Sequence, residues 1–152
     1  MSGNGTHQIQ ERLVLRSRLS DFAQVAAWIE DLASRYGIPG NVEFAMKLCL
    51  EEALSNVVRH GYPGAQDRFI TVRFTAPHDA YFLFIVDDEA PLFNPLAAPA
   101  LPVLNSLEET RVGGLGLRFL RQFADALEYE QLPNGNRLRI GFSTAGSANP
   151  QK

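Results

Sequence analysis

The run Tyr81-Phe82-Leu83-Phe84-Ile85-Val86 is apolar at every position, and few arrangements can hide it. Six residues are short for a helix, and the aromatic and β-branched content suits a strand. The stretch is predicted to be a central strand covered on each side. Partners for it lie nearby. Phe69-Ile70-Thr71-Val72-Arg73-Phe74 reads as a strand, with His78-Asp79 as the turn between the two. Residues 126–131 and 137–142 read as a second pair, around the hairpin signal Asn134-Gly135. Residues 9–17 end in apolar–polar alternation, which suits an edge strand.

Helices interleave with these strands. Ser20-Asp21 offers an N-cap, Phe22, Val25, Ala26, Ile29, Leu32 and Ala33 recur at helical spacing, and Gly37 stops the run. Pro39-Gly40-Asn41 reopens the chain. Val42, Ala45, Cys49, Ala53 and Val57 then form the stripe of a second helix, predicted to reach His60 before Gly61-Tyr62-Pro63-Gly64. A third helix follows Gly113-Gly114-Leu115-Gly116, with Leu117, Leu120 and Phe123-Ala124 inward. The expectation is an α/β (α+β) two-layer sandwich, its sheet mixed but mostly antiparallel, with helices on one face. Residues 9–143 form the domain, and the small polar residues of 1–8 and 144–152 read as flexible tails.

Composition narrows the function. The 152 residues fit one domain, and 45% hydrophobic content is enough for a core. A net charge of −3 excludes the broad basic footprint of a nucleic-acid binder. A single cysteine, Cys49, excludes an internal disulfide and a multi-cysteine metal site; on the apolar stripe it reads as core. No apolar run is long enough to span a membrane, and residues 1–8 lack the pattern of a secretory signal. A cytoplasmic protein is expected, with no membrane or direct nucleic-acid partner.

Three places carry chemistry. Glu52, Asn56 and His60 are four residues apart and share one side of a regular helix. The carboxylate can take a proton and the carboxamide oxygen can ligate magnesium, though the same spacing also describes a solvated helix face. Val86-Asp87-Asp88-Glu89-Ala90-Pro91 carries acids to the end of a buried strand, where one can accept an amino proton from adenine or merely form an acidic turn. Arg111-Val112-Gly113-Gly114-Leu115-Gly116-Leu117 sets three glycines at a helix mouth, where bare N–H groups can approach a polyphosphate; a hinge is the plainer reading. This is neither a P-loop nor a dinucleotide fingerprint. Between the last two pieces, Pro91, Pro95, Pro99 and Pro102 rule out a regular element, and so long a loop in a compact domain is usually functional.

In this order the three pieces resemble the boxes of the histidine-kinase-like (Bergerat, GHKL) ATPase superfamily, and within it the bacterial anti-sigma-factor serine/threonine kinases. The likeness covers residues 9–143, and Gly135-Asn136-Arg137-Leu138 shares the flavour of the subgroup. It implies the Bergerat ATP-binding fold, with ATP and Mg2+ as cofactors. By resemblance Glu52 is the general base, Asn56 holds magnesium, and Asp88 reads adenine, with Asp87 the alternative register. Gly113, Gly114, Leu115, Gly116 and Leu117 would cradle the phosphates, Arg111 would contact the γ-phosphate, and residues 92–112 would form a lid. One departure stands out: the family's adenine box usually reads D-x-G, and Ala90 replaces the glycine. Reduced nucleotide affinity is the most that a methyl group is expected to cause.

The resemblance implies a kinase that phosphorylates an anti-sigma-factor antagonist and has a sigma factor or another regulator as its other partner. A homodimer paired along a sheet-and-helix edge is also implied. The alternative is a partner-switching module that binds nucleotide without turnover. A histidine kinase fits less well, since only His7 precedes the first helix and no helical hairpin fits before Ile9.

Overall fold

In the computed structural model, residues 10–92, 94–96 and 115–144 are described. Strand β1 (Gln10–Arg16) leads through a short 3-10 turn (Leu19–Asp21) into α1 (Phe22–Tyr36) and α2 (Gly40–Asn56). Strands β2 (Phe69–His78) and β3 (Tyr81–Asp88) follow, then α3 (Leu115–Phe123), β4 (Ala126–Leu132) and β5 (Gly135–Ser143). The five strands form one sheet in the order β1-β2-β3-β5-β4.

Every pairing in that sheet is antiparallel, so the predicted mixed sheet is corrected. The helical pair α1–α2 goes out and back, so β2 starts at the end of the sheet where β1 finished and runs against it. Among the described residues, α3 lies between β3 and β4 in the chain, and those two strands do point the same way. Strand β5 lies between them, so no parallel ladder forms.

Alternation along the strands sets the core. Leu15, Ile70, Val72, Phe74, Phe82, Phe84, Val86, Leu138, Ile140 and Phe142 are buried on the inner face. Against them pack Val25, Ile29 and Leu32 of α1 and a set from α2 that includes Met46, Cys49, Leu50 and Leu54. Helix α2 is buried on more than one side because it contacts both α1 and α3. Cys49 is wholly buried; burial and the charge of Glu52 push its thiol up to about 12, which makes it a core residue rather than a nucleophile. Trp28 packs edge-on against Phe84, as a core contact of α1.

Three local expectations change. Strand β3 is central, but the described helices cover only its inner face. On the other face Leu83 and Ile85 are half-buried. Ile85 sits in register with Arg73 and Arg139, whose methylene stems can shade apolar surface in place of a second layer. Asp21 makes no capping bond to α1; its carboxylate instead accepts from the Arg16 N–H at 2.9 Å and pairs with Arg18. The β4–β5 turn is Pro133-Asn134, with Gly135 already paired to Leu132. An ideal Cβ on Gly135 would lie 1.8 Å from the Asp88 carbonyl oxygen, so this glycine serves close strand approach, not the turn.

Candidate functional site

The end of α2 departs from a regular helix. From Val57 to Gly61 the backbone widens into a π turn, and the Tyr62 N–H donates to the Val57 carbonyl at 3.1 Å. Such insertions re-aim the residues around them and recur at functional sites. The helix does run to about His60, as predicted, but its last turn is π rather than α, so the stripe of Glu52, Asn56 and His60 does not survive as one face. Glu52 is half-exposed, Asn56 is buried, and His60 is turned to solvent. The buried Asn56 side chain makes no hydrogen bond to the described residues. The amide is not sealed from water: it lines a hollow, where a ligand or water can meet it.

Opposite that turn, alternation carries the inner row of β3 from Phe82 through Phe84 and Val86 to Asp88, which is buried. Its neighbour Asp87 faces the other side of the sheet. Asp88 Oδ1 accepts from the Ala90 N–H at 2.9 Å and from Asn136 Nδ2 at 2.9 Å. Asn136 Nδ2 also reaches the carbonyls of Ala90 and Pro91, each at 3.2 Å, while Tyr129 donates its hydroxyl to Asn136 Oδ1. The Glu89 N–H donates to the Tyr62 hydroxyl at 2.6 Å. Burial pushes the Asp88 carboxyl up, the two N–H donors pull it back in part, and Asp87 adds to the rise.

These groups surround one narrow hollow, with a cavity volume of about 30 Å³. Ala53, Asn56, Val57 and Gly61 line it from α2 and the π turn; Val86, Asp88 and Ala90 come from β3 and beyond, and Tyr129, Asn136 and Leu138 from the β4–β5 hairpin. Its walls are mostly apolar, with a carboxylate and two carboxamides converging, which suits a flat heterocycle with a polar edge. Ala90 sits here without a positive φ, and its methyl occupies space that Gly61 leaves open: an ideal Cβ on Gly61 would be 2.7 Å away. The backbone thus accepts alanine where the motif usually has glycine.

A family model for the histidine kinase-like ATPase domain matches residues 15–142. The chain belongs to the histidine-kinase-like ATPase family. It is 31% identical over 118 residues to the serine/threonine-protein kinase BtrW of Bordetella bronchiseptica, covering 78% of this chain and 82% of that protein. The five-stranded antiparallel sheet with its helices is the fold of solved relatives too. It matches the RsbU and RsbW domains of Rv1364c from Mycobacterium tuberculosis with a TM-score of 0.64 at 13% identity, over 89% of this chain and 32% of that one. It also matches the SiaB–SiaC complex from Pseudomonas aeruginosa with a TM-score of 0.58 at 14% identity, over 86% and 87% of the respective chains.

Within this family member, the motif residues fall at different distances from the hollow. Asn56, Asp88 and Ala90 line it. Glu52 stands one helical turn before Asn56 and outside the lining set. Burial and the adjacent Glu51 push its carboxyl up, and Arg59 offsets this in part, which suits a group that must take a proton. Leu115, Gly116 and Leu117 form the first turn of α3. Arg111, Gly113 and Gly114 lie outside the described residues, as do most of the 92–112 lid and both tails apart from Thr144, whose N–H donates to the Ala80 carbonyl at 2.7 Å; of the lid, Pro95 lines the hollow. The donor set fits magnesium in kind: Asn56 offers a hard, neutral oxygen with no partner among the described residues, which hold no cluster of three or more acidic, His or Cys side chains. No helix among the described residues is long and apolar enough to cross a membrane.

Reading the sequence missed the roles of Tyr62, Tyr129 and Asn136. For Asn136 a signal exists: the period-two row Leu138, Ile140 and Phe142 extends back to position 136 on the same face, directly opposite Asp88.

Proposed function

We propose that this chain is an ATP- and magnesium-dependent serine/threonine protein kinase. Its substrate would be a small anti-sigma-factor antagonist, and its other partner a sigma factor or another regulator, so that phosphorylation switches which partner is held. The observation that carries the reading is the convergence on one apolar hollow of Asp88 and of an Asn56 amide with no hydrogen-bond partner among the described residues. Further support comes from the Bordetella relative, named a serine/threonine-protein kinase, and from the resemblance of the motifs to anti-sigma-factor kinases.

In this reading Asp88 accepts the exocyclic amino proton of adenine, and Val86, Ala53 and Leu138 pack on the ring. Asn56 would hold magnesium, which when bound neutralises phosphate charge. The N–H groups of Gly113, Gly114 and the first turn of α3 would bind phosphate oxygens, with Arg111 against the γ-phosphate. Phosphoryl transfer needs positioning more than covalent help. Glu52 takes the proton of the acceptor hydroxyl as its oxygen bonds to the γ-phosphorus and the bond to ADP breaks.

The test is transfer of labelled phosphate from ATP to a co-encoded antagonist, with Glu52→Ala beside the unaltered chain. Loss of about 100-fold or more is expected for a general base. Undiminished transfer by the variant would remove Glu52 from the reaction. ATP binding by the unaltered chain without transfer to any antagonist would favour the binding module. That alternative loses its motive in Ala90, whose methyl is accommodated beside Gly61.

A further inference from the structure

Among the described residues, Asn136 makes more side-chain hydrogen bonds in this site than any other. It is buried, and its amide nitrogen faces three acceptors: Asp88 Oδ1 and the carbonyls of Ala90 and Pro91. Among the described residues its amide oxygen accepts from the Tyr129 hydroxyl. The orientation of the amide is thereby forced, since a flip would set oxygen against three oxygens. Burial and the charge of Asp88 push the Tyr129 phenol up, so it remains a donor at neutral pH.

The consequence falls on Asp88. With Ala90 N–H and Asn136 Nδ2 both on Oδ1, that oxygen is saturated, and Oδ2 takes no hydrogen bond among the described residues. A carboxylate supplied with fixed donors on one oxygen stays an acceptor at the other. An acceptor can pair with a purine that carries an amino group at C6 and opposes one that carries a carbonyl there. The bonds to Ala90 and Pro91 also fix the chain as it leaves β3.

We propose that Asn136, oriented by Tyr129, is the positioning residue that makes the site selective for 6-aminopurines over 6-oxopurines, by fixing which oxygen and which hydrogen-bonding sense Asp88 presents. This rests on the reading of the hollow as an adenine site and deepens it. Tyr129 acts through Asn136, so the two residues form one relay rather than two contacts.

The experiment is a calorimetric titration with ATP and with ITP, which differ at C6, on the unaltered chain, Asn136→Leu, Tyr129→Phe and the double variant. Thermal melts alongside identify any chain that does not fold. The unaltered chain is expected to prefer ATP by at least tenfold. Asn136→Leu should lower the ATP-to-ITP preference by tenfold or more. Tyr129→Phe should lower it by about threefold, a small step relative to loss of a charged hydrogen bond. The double variant should match Asn136→Leu. If both nucleotides weaken in parallel and the preference stays, Asn136 is only a structural tie and the proposal is overturned. Additive losses in the double variant would overturn the relay. If Asn136→Leu does not fold, the Tyr129→Phe preference decides: no change in it overturns the proposal. A failure of the unaltered chain to bind ATP is a different result, since it overturns the adenine reading itself and the proposal with it.

Discussion

Asp87 and Asp88 are adjacent in sequence and opposite in fate. On the outer face, Asp87 accepts from Arg137 Nε at 2.7 Å and Nη2 at 2.9 Å, and from Arg73 Nη2 at 3.0 Å. Two guanidinium groups saturate both its oxygens and tie β2, β3 and β5 together. On the inner face, Asp88 receives only neutral N–H donors, both on one oxygen, and no cation pairs with it among the described residues. A neutralised carboxylate is a stitch in the sheet. A buried carboxylate left with its charge and one open oxygen is an unfinished interaction, of the kind that a ligand completes.

The largest expected effect comes from disturbing the strand pair that presents Asp88. Gly135→Ala would drive a Cβ to within 1.8 Å of the Asp88 carbonyl oxygen, where backbone cannot yield cheaply. A loss of about 3 kcal/mol is expected, at the upper end for overpacking. Urea unfolding checks this, and an unchanged midpoint would mean that β3 and β5 are further apart there. Next comes Gly61→Ala, expected to cost about 2 kcal/mol against the Ala90 methyl. Adding Ala90→Gly should recover most of that cost. Simple addition of the two single effects in the same assay would show that they do not touch.

The two carboxylates themselves should then separate in stability. Asp87→Asn weakens the bonds to Arg73 and Arg137 and is expected to cost about 1 kcal/mol in chemical unfolding. Asp88→Asn should cost nothing or stabilise. The folded state holds the Asp88 carboxyl above its usual range, so its contribution is best at low pH and is lost as pH rises through the folded value. The advantage of Asp88→Asn over the parent should therefore grow from about pH 4 upward and then level off. An advantage that shrinks with pH would reverse the assigned environments.

Much of this was legible because it follows from pattern. Alternation in β2, β3 and β5, the stripe of α1 and the glycine stop at Gly37, with its left-handed φ of 64°, are dictated locally. Preference for Asp88 over Asp87 is consistent with strand parity, since 82, 84, 86 and 88 share a face. The π turn after Asn56 was not legible, because helical spacing does not mark it, and the close approach of Gly61 to Ala90 that accompanies it is a tertiary contact. Nor was the strand order, since inserting β5 between β3 and β4 is a choice among topologies that period and turn signals leave equal. Tyr62 and Tyr129 were missed because each acts through its hydroxyl, Tyr62 across the fold on Glu89 and Tyr129 within its own hairpin on Asn136, while the rings read as ordinary packing.

The most direct measurement is an ATP titration by calorimetry on the unaltered chain, Asp88→Asn and Asp87→Asn, with magnesium present. Asp88→Asn should weaken binding at least tenfold, about 1.4 kcal/mol, while Asp87→Asn stays within about twofold. Equal losses in the two variants, or a larger loss from Asp87→Asn, would contradict the assignment of the inner-face hollow as the nucleotide site.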